Sequence, residues 1–186
     1  LHIGNDTTAF TGTFDGGGHA LENLTINRGG TDDTGLFSHV GGGGAVTDLY
    51  MTDVRIAGAD CVGPLAGSNS GSIQNCTGTG SVHGTNDIGG LVGENTATGT
   101  IEQAYSAADA QGTNRVGGLI GSNTSGEVSD SYSTGSVRGQ NVLGGLIGHN
   151  DGGTVAKSYS TGDTTAFLGI ATTGGLVAAN DNGGTV

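Results

Sequence analysis

The stretch Gly117-Gly118-Leu119-Ile120-Gly121-Ser122-Asn123 decides the fold, because the chain returns to it at a regular interval. Counterparts stand at Thr34-Gly-Leu-Phe37, Gly63-Pro-Leu-Ala66, Gly89-Gly-Leu-Val92, Gly144-Gly-Leu-Ile147 and Gly174-Gly-Leu-Val177. Their leucines, Leu36, Leu65, Leu91, Leu119, Leu146 and Leu176, are separated by 29, 26, 28, 27 and 30 residues, a period averaging 28. A period of that size marks a solenoid unit and is far longer than a heptad.

Aligning on the leucines exposes further columns. Asparagine stands four residues after the last five of them, at Asn69, Asn95, Asn123, Asn150 and Asn180, with Val40 in the first repeat. Asparagine tolerates turn conformations, and stacked amides hydrogen-bond from coil to coil as a ladder. The second half of each unit reads Val46-Thr-Asp-Leu-Tyr50, Ile73-Gln-Asn-Cys-Thr77, Ile101-Glu-Gln-Ala-Tyr105, Val128-Ser-Asp-Ser-Tyr132 and Val155-Ala-Lys-Ser-Tyr159, so all four tyrosines share one column. A third short stretch carries Val54, Val82 and Val137. Three brief β-type runs per unit, too short for helices, cannot bury an apolar side alone. Stacked at ~4.8 Å they pair with their counterparts above and below. The expected fold is all-β, a right-handed parallel β-helix of about six coils of about 28 residues, standing about 30 Å tall, with the repeat leucines Leu65, Leu91, Leu119, Leu146 and Leu176 buried.

Composition agrees with this and removes other classes. Glycine fills 41 of 186 positions beside one proline and no tryptophan, with hydrophobic residues at 33% and charged residues at 12%. That much glycine argues against helical folds; collagen is excluded because glycine does not fall at every third position, and recurring apolar runs argue against disorder. A net charge of -12 makes nucleic acid and anionic bilayers poor partners, and no stretch approaches a transmembrane span. Residues 1–186 read as a single β-solenoid domain, expected to be a segment of a longer protein or a subunit that stacks end to end on identical copies. Cys61 and Cys76 lie about half a coil apart in the repeat and are expected to be free thiols.

Phe14-Asp-Gly-Gly-Gly-His19, Asn23-Leu-Thr-Ile26, the repeated Gly-Gly-Leu-Val/Ile-Gly and the Tyr-Ser-Thr-Gly of Tyr132 to Gly135 resemble GLUG-motif repeats over nearly the whole chain. The resemblance implies large secreted or surface-anchored microbial proteins, among them adhesins and non-catalytic regions of some immunoglobulin A peptidases. It implies extracellular display and no catalytic residues. Pro64 in place of the glycine before Leu65, and Ala178 in place of the glycine after Val177, depart from the motif.

Two sets of residues stand out as candidate sites. Leu49 and Met51 point inward if their strand alternates, which leaves Tyr50, Thr77, Tyr105, Tyr132 and Tyr159 outward as an interaction stripe or as a stabilising stack. Asp32, Asp60 and Asp87, with Arg115, fall close before their leucines, where stacked coils could gather carboxylates into a cation or sugar site. The alternative is ordinary turn chemistry, because Asn86, Asn114 and Asn141 share the column of Asp60. The histidines His2, His19, His39, His83 and His149 lack metal-motif spacing, and sequons stand at Asn5, Asn23, Asn75 and Asn123.

The chain therefore reads as a non-enzymatic structural or adhesive module of an extracellular surface protein, stalk or filament, with no cofactor. Its partners are expected to be neighbouring repeats, identical subunits, glycans or a host surface. One alternative is a carbohydrate-binding or lyase-like β-helix. Another is an ice-binding solenoid, which the sequence disfavours because Thr134 and Thr161 are read against Ala107 and Gly78 in other coils.

Overall fold

A computed structural model of the chain describes residues 2–5 and 7–186. The chain winds as a parallel β-solenoid with three sheets running along its axis. The first sheet takes the strand that follows each leucine: Phe37–Val40, Ala66–Asn69, Val92–Thr96, Ile120–Thr124, Ile147–Asp151 and Val177–Asp181. The second and largest takes the Ile/Val and Tyr segments, such as Ser72–Gln74 with Thr77–His83 and Thr100–Glu102 with Tyr105–Gln111. The third takes the strand before each leucine: Asp60–Val62, Asn86–Gly89, Asn114–Gly117, Val142–Gly144 and Thr172–Gly174. Strands pair in parallel with the coil before and after, and in the middle of the stack equivalent residues face each other, as with Val92 opposite Ile120 and Val116 opposite Leu143.

All three sheets send apolar columns into a shared core. Val62, Ile88, Val116 and Leu143 enter from the third sheet, Val92, Ile120 and Ile147 from the first, and Val46, Ile73, Ile101 and Val128 from the second, all buried. Leu65, Leu91, Leu119 and Leu146 fill the corner between the third and first sheets and are each 0% exposed. Leu176 differs from expectation: it is half-buried, because its coil is covered on one side only.

The Gly-Gly-Leu signature is the steric requirement of that corner. A Cβ on Gly89, Gly117 or Gly144 would lie 1.8, 1.9 or 1.8 Å from the carbonyl oxygen of Val92, Ile120 or Ile147. One on the following Gly118 would lie 2.1 Å from the carbonyl oxygen of Gly145 in the next coil. Pro64 is accommodated by a matched change. Gly90, Gly118 and Gly145 face Ser106, Ser133 and Ser160, whereas Pro64 faces Gly78, whose missing side chain leaves room for the ring.

Three features differ from the sequence reading. The turn expected before each leucine is a strand, because Val62, Ile88, Val116 and Leu143 alternate inward there, and the coil of Ala66–Asn69, Ser72–Gln74, Thr77–His83 and Asn86–Gly89 thus has four short strands rather than three. Thr79, not Gly78, stands opposite Ala107, so the threonine column runs through Thr79 and is interrupted at Ala107. The tyrosine column itself requires this, because Tyr105 stands opposite Thr77 and the residues two further on, Ala107 and Thr79, must then face each other. Finally, Asp15 pairs with Thr47 but His19 with Leu49, so the Gly16-Gly17-Gly18 run bulges out of the first coil. Gly17 and Gly18 have φ of 60° and 74°, and Asp15 Oδ1 accepts from the Gly17 amide at 2.7 Å.

Two columns of non-glycine residues hold left-handed backbone in coil after coil. Asp48, Asn75, Gln103, Asp130 and Lys157 have φ between 48° and 53°, and Asp33, Cys61, Asp87 and Arg115 between 46° and 54°. Asp and Asn adopt this conformation most readily, which explains their frequency there.

Candidate functional site

The asparagine column forms a continuous buried ladder. The Nδ2 groups of Asn69, Asn95 and Asn123 donate to Oδ1 of Asn95, Asn123 and Asn150 at 2.8, 2.8 and 2.7 Å, and Asn150 Nδ2 donates to Asn180 Oδ1 at 2.7 Å. Each amide also donates to a glycine carbonyl of its own coil, as Asn95 to Gly99 at 3.1 Å and Asn123 to Gly126 at 3.1 Å. Those carbonyls fix the direction of the ladder, since only the NH2 side of an amide can face them. At its lower end Asn69 Oδ1 accepts from the Gly71 amide at 3.1 Å, and below it stands Val40, fully buried and bridged in parallel to Phe10. Asn69, Asn95, Asn123 and Asn150 are 0% exposed, and among the described residues no buried side-chain nitrogen or oxygen lacks a partner.

A second ladder runs along the third sheet in the opposite sense. Asn141 donates to Asn114, Asn114 Nδ2 donates to Asn86 Oδ1 at 2.7 Å, and Asn86 Nδ2 donates to Asp60 Oδ1 at 2.8 Å. Asp32 Oδ1 accepts from the Asp60 backbone amide at 3.2 Å. A carboxylate has no proton to donate, so Asp60 can stand only at the accepting end and sets the polarity of the column above it.

Asp32 and Asp60 thus share one column, and Asp87 stands in the next. Asp87 is buried, and Arg115 grips its two oxygens through Nε and Nη2 at 2.5 Å each. The left-handed backbone at Asp87 and Arg115 turns both side chains away from the asparagine edge. Their neighbours across the corner are Cys61, with Sγ 4.0 Å from Glu94 Oε2, and Glu94, whose Oε1 accepts from Thr124 Oγ1 at 3.3 Å. Burial, reinforced by Asp87, raises the Glu94 carboxyl above the usual carboxylate range. Burial and the same carboxylates push the Cys61 thiol far up, while burial pushes the Cys76 thiol up to about 11. Both cysteines are free. Among the described residues, no group of three or more His, Cys, Asp or Glu side chains is placed to hold a metal ion.

The tyrosine column faces outward between inward Leu49 and Met51, Ala104 and Ser106, and Ser131 and Ser133. Tyr105 and Tyr132 stack with ring centroids 4.5 Å apart and planes 27° apart, and Tyr132 and Tyr159 with centroids 5.0 Å apart and planes 7° apart. Tyr50 stands alone, because Thr77 occupies the coil between it and Tyr105. The stack turns ring edges and hydroxyls, rather than ring faces, to the solvent along its length. Of the four sequons, Asn123 is sealed in the ladder and Asn75 donates to Asp48 Oδ1 at 2.5 Å, whereas Asn5 and Asn23 are exposed.

One surface feature escaped the sequence reading. The outward positions beside Val82, Ala110 and Val137 form a lateral groove of about 200 Å³ lined by Ser81, His83, Asp109, Gln111, Ser136 and Arg138. His83, Gln111 and Arg138 stand on successive rungs of one column. Strict alternation around the valines was the available signal, but these residues form no repeat of their own. No helix among the described residues is long and apolar enough to cross a membrane.

The architecture defines a class, a parallel β-solenoid with a glycine corner and an internal amide ladder that runs from Asn69 to Asn180. Residues 112–138 and 139–165 each match the GLUG motif, so the chain carries GLUG-motif repeats, as its sequence implied. It is similar to Halomucin of Haloquadratum walsbyi, 42% identical over 99 residues that make up 53% of this chain and 1% of that protein. It is also similar to a protein of Evansella cellulosilytica provisionally named a Gly-rich membrane protein, 32% identical over an alignment of 132 residues that takes in 53% of this chain and 15% of that one. The fold resembles a Bacteroides ovatus crystal structure provisionally named an immunoglobulin A1 protease, with a TM-score of 0.77 over 92% of this chain and 58% of that one. At 20% identity that likeness is one of fold. The chain spans a small fraction of the two sequence relatives.

Proposed function

We propose that the chain is a non-enzymatic structural module of an extracellular surface protein, stalk or filament, supplying length, stiffness and display. The observation that carries this reading is the unbroken Asn69 to Asn180 ladder, which ties five successive coils into one rod without an outsized loop. Such a ladder resists bending, since any hinge between coils would expose two unpaired amide groups. The surface setting draws support from relatives named Halomucin and a Gly-rich membrane protein. Electron microscopy of the purified chain across concentration tests the partner: rods of one length fit a segment within a longer array, and fibres fit end-to-end stacking of identical subunits. Flexible or irregular particles would overturn the rod. Antibody raised against the chain should label intact cells of the source organism, and labelling only after lysis would overturn the surface setting.

The lateral groove supports a second reading, glycan binding. Ser81, His83, Asp109, Gln111, Ser136 and Arg138 offer the planar and hydroxyl groups that hydrogen-bond sugar hydroxyls. A glycan array probed with the native chain and with Arg138→Ala tests it. Signals that the substitution leaves intact would place any sugar binding elsewhere.

A further inference from the structure

We propose that the stacked tyrosines Tyr105, Tyr132 and Tyr159 are a one-electron oxidation site, at which an external oxidant of the peroxidase class joins neighbouring coils through dityrosine. The first ground is geometry. Parallel pairing places Tyr132 opposite both Tyr105 and Tyr159 in register, and ring centroids 4.5 and 5.0 Å apart bring the phenols into van der Waals contact. The column is lateral, so stacking of coils leaves its edges open to solvent, and Tyr159 is 53% exposed.

The second ground is the absence of a better accessible electron donor. The chain has no tryptophan, and its one methionine, Met51, is 0% exposed. Cys76 is equally buried, and Cys61 is partly buried against the Glu94 carboxylate, where the readily oxidised thiolate is disfavoured. Oxidising equivalents arriving at the surface therefore find the phenols first. Tyr105 Oη lies 3.0 Å from Thr134 Oγ1, which offers its departing proton a route to solvent.

The chemistry balances as follows. Each of two neighbouring phenols gives up one electron and one proton and becomes a neutral tyrosyl radical. The radicals couple through a ring carbon ortho to each hydroxyl, forming one C–C bond. The two ring hydrogens at those carbons then move to the oxygens, which restores both phenols and both aromatic rings. Two electrons and two protons leave overall, and with hydrogen peroxide as terminal oxidant they reduce it to two molecules of water. The product is a covalent staple between coils that the hydrogen-bond ladder already holds side by side.

The column carries its own control, because Tyr50 has the same outward setting but Thr77 as its neighbour. The test treats dilute chain with peroxidase and hydrogen peroxide, then reads dityrosine fluorescence, the loss of two hydrogens from the monomer mass, and the cross-linked peptides. The expected result is a monomer carrying a Tyr105–Tyr132 or Tyr132–Tyr159 link. Tyr132→Phe should reduce the intrachain signal to background, since it leaves Tyr105 and Tyr159 two coils apart. Tyr105→Phe and Tyr159→Phe should each keep one link, and Tyr50→Phe should change nothing; circular dichroism confirms that each variant is folded. Intrachain dityrosine that survives Tyr132→Phe, links to Tyr50, dityrosine confined to covalent dimers, or oxidation falling on cysteine and methionine instead would each overturn the proposal.

Discussion

Asn95 donates its side-chain amide to Asn123 Oδ1 across 2.8 Å, inside a core where both residues are 0% exposed. The contact couples two coils through a polar group that solvent cannot replace. Because Asn95, Asn123 and Asn150 each accept from the asparagine below and donate to the one above, loss of any of these three orphans a group on both neighbours.

Asn123→Ala should therefore be costly. It takes the acceptor from one of the two Asn95 side-chain N–H groups, the other staying on the Gly99 carbonyl, and the donor from Asn150 Oδ1 in a dry core, at about 1–3 kcal/mol for each orphaned group. Thermal melting followed by circular dichroism should show a large drop, whereas Asn180→Ala, in an exposed position, should lower the midpoint much less. Equal losses at the two sites would remove the ladder from the account of stability.

Leu119→Ala and Leu176→Ala test the core in the same way. Leu119 is 0% exposed between two coils, and truncating it should cost about 2–5 kcal/mol, including the cavity left behind. Leu176 is half-buried in a coil covered on one side, so its truncation should cost about half as much. Urea denaturation of the two variants supplies the comparison.

Gly118→Ala and Gly175→Ala occupy one column and should behave differently. A methyl on Gly118 would sit 2.1 Å from the Gly145 carbonyl oxygen, while one on Gly175 meets nothing within 4 Å. The first should destabilise by about 3 kcal/mol or more through displaced backbone, and the second should be near neutral. The contrast isolates coil stacking, rather than glycine's conformational freedom, as the reason for that position.

Glu94 makes stability depend on pH. Its carboxyl is raised, by burial first and by Asp87 next, so the folded chain holds that proton more tightly than the unfolded one. Its contribution is then fullest below the ordinary glutamate value and is lost as pH rises through the raised folded value. Glu94→Gln removes this dependence. The variant should match the native chain in acid and melt a few degrees higher at neutral pH; melting curves at a series of pH values check the crossover.

The coil and its length were legible from the Gly-Gly-Leu period and the Asn column, because both are imposed by contacts that recur from coil to coil along most of the stack. The inward direction of Leu49 and Met51, and with it the outward tyrosines, followed from simple alternation. The candidate carboxylates were less legible. Asp60 and Asp87 look alike in the sequence, yet one closes an asparagine column and the other pairs with Arg115. A left-handed residue reverses side-chain direction without changing the spacing, and no period reports it.

By itself the sequence determined that this is a stacked parallel β-solenoid, since only stacking can bury apolar columns spaced 28 residues apart on average. It also determined which residues share a column. The tertiary structure alone decided the opposite polarity of the two amide ladders, the mutual accommodation of Pro64 and Gly78, and the contact of three tyrosines but not the fourth. These depend on which atoms meet across coils. Position along the chain sets who the neighbours are, while backbone conformation and hydrogen-bond direction set what they do to one another.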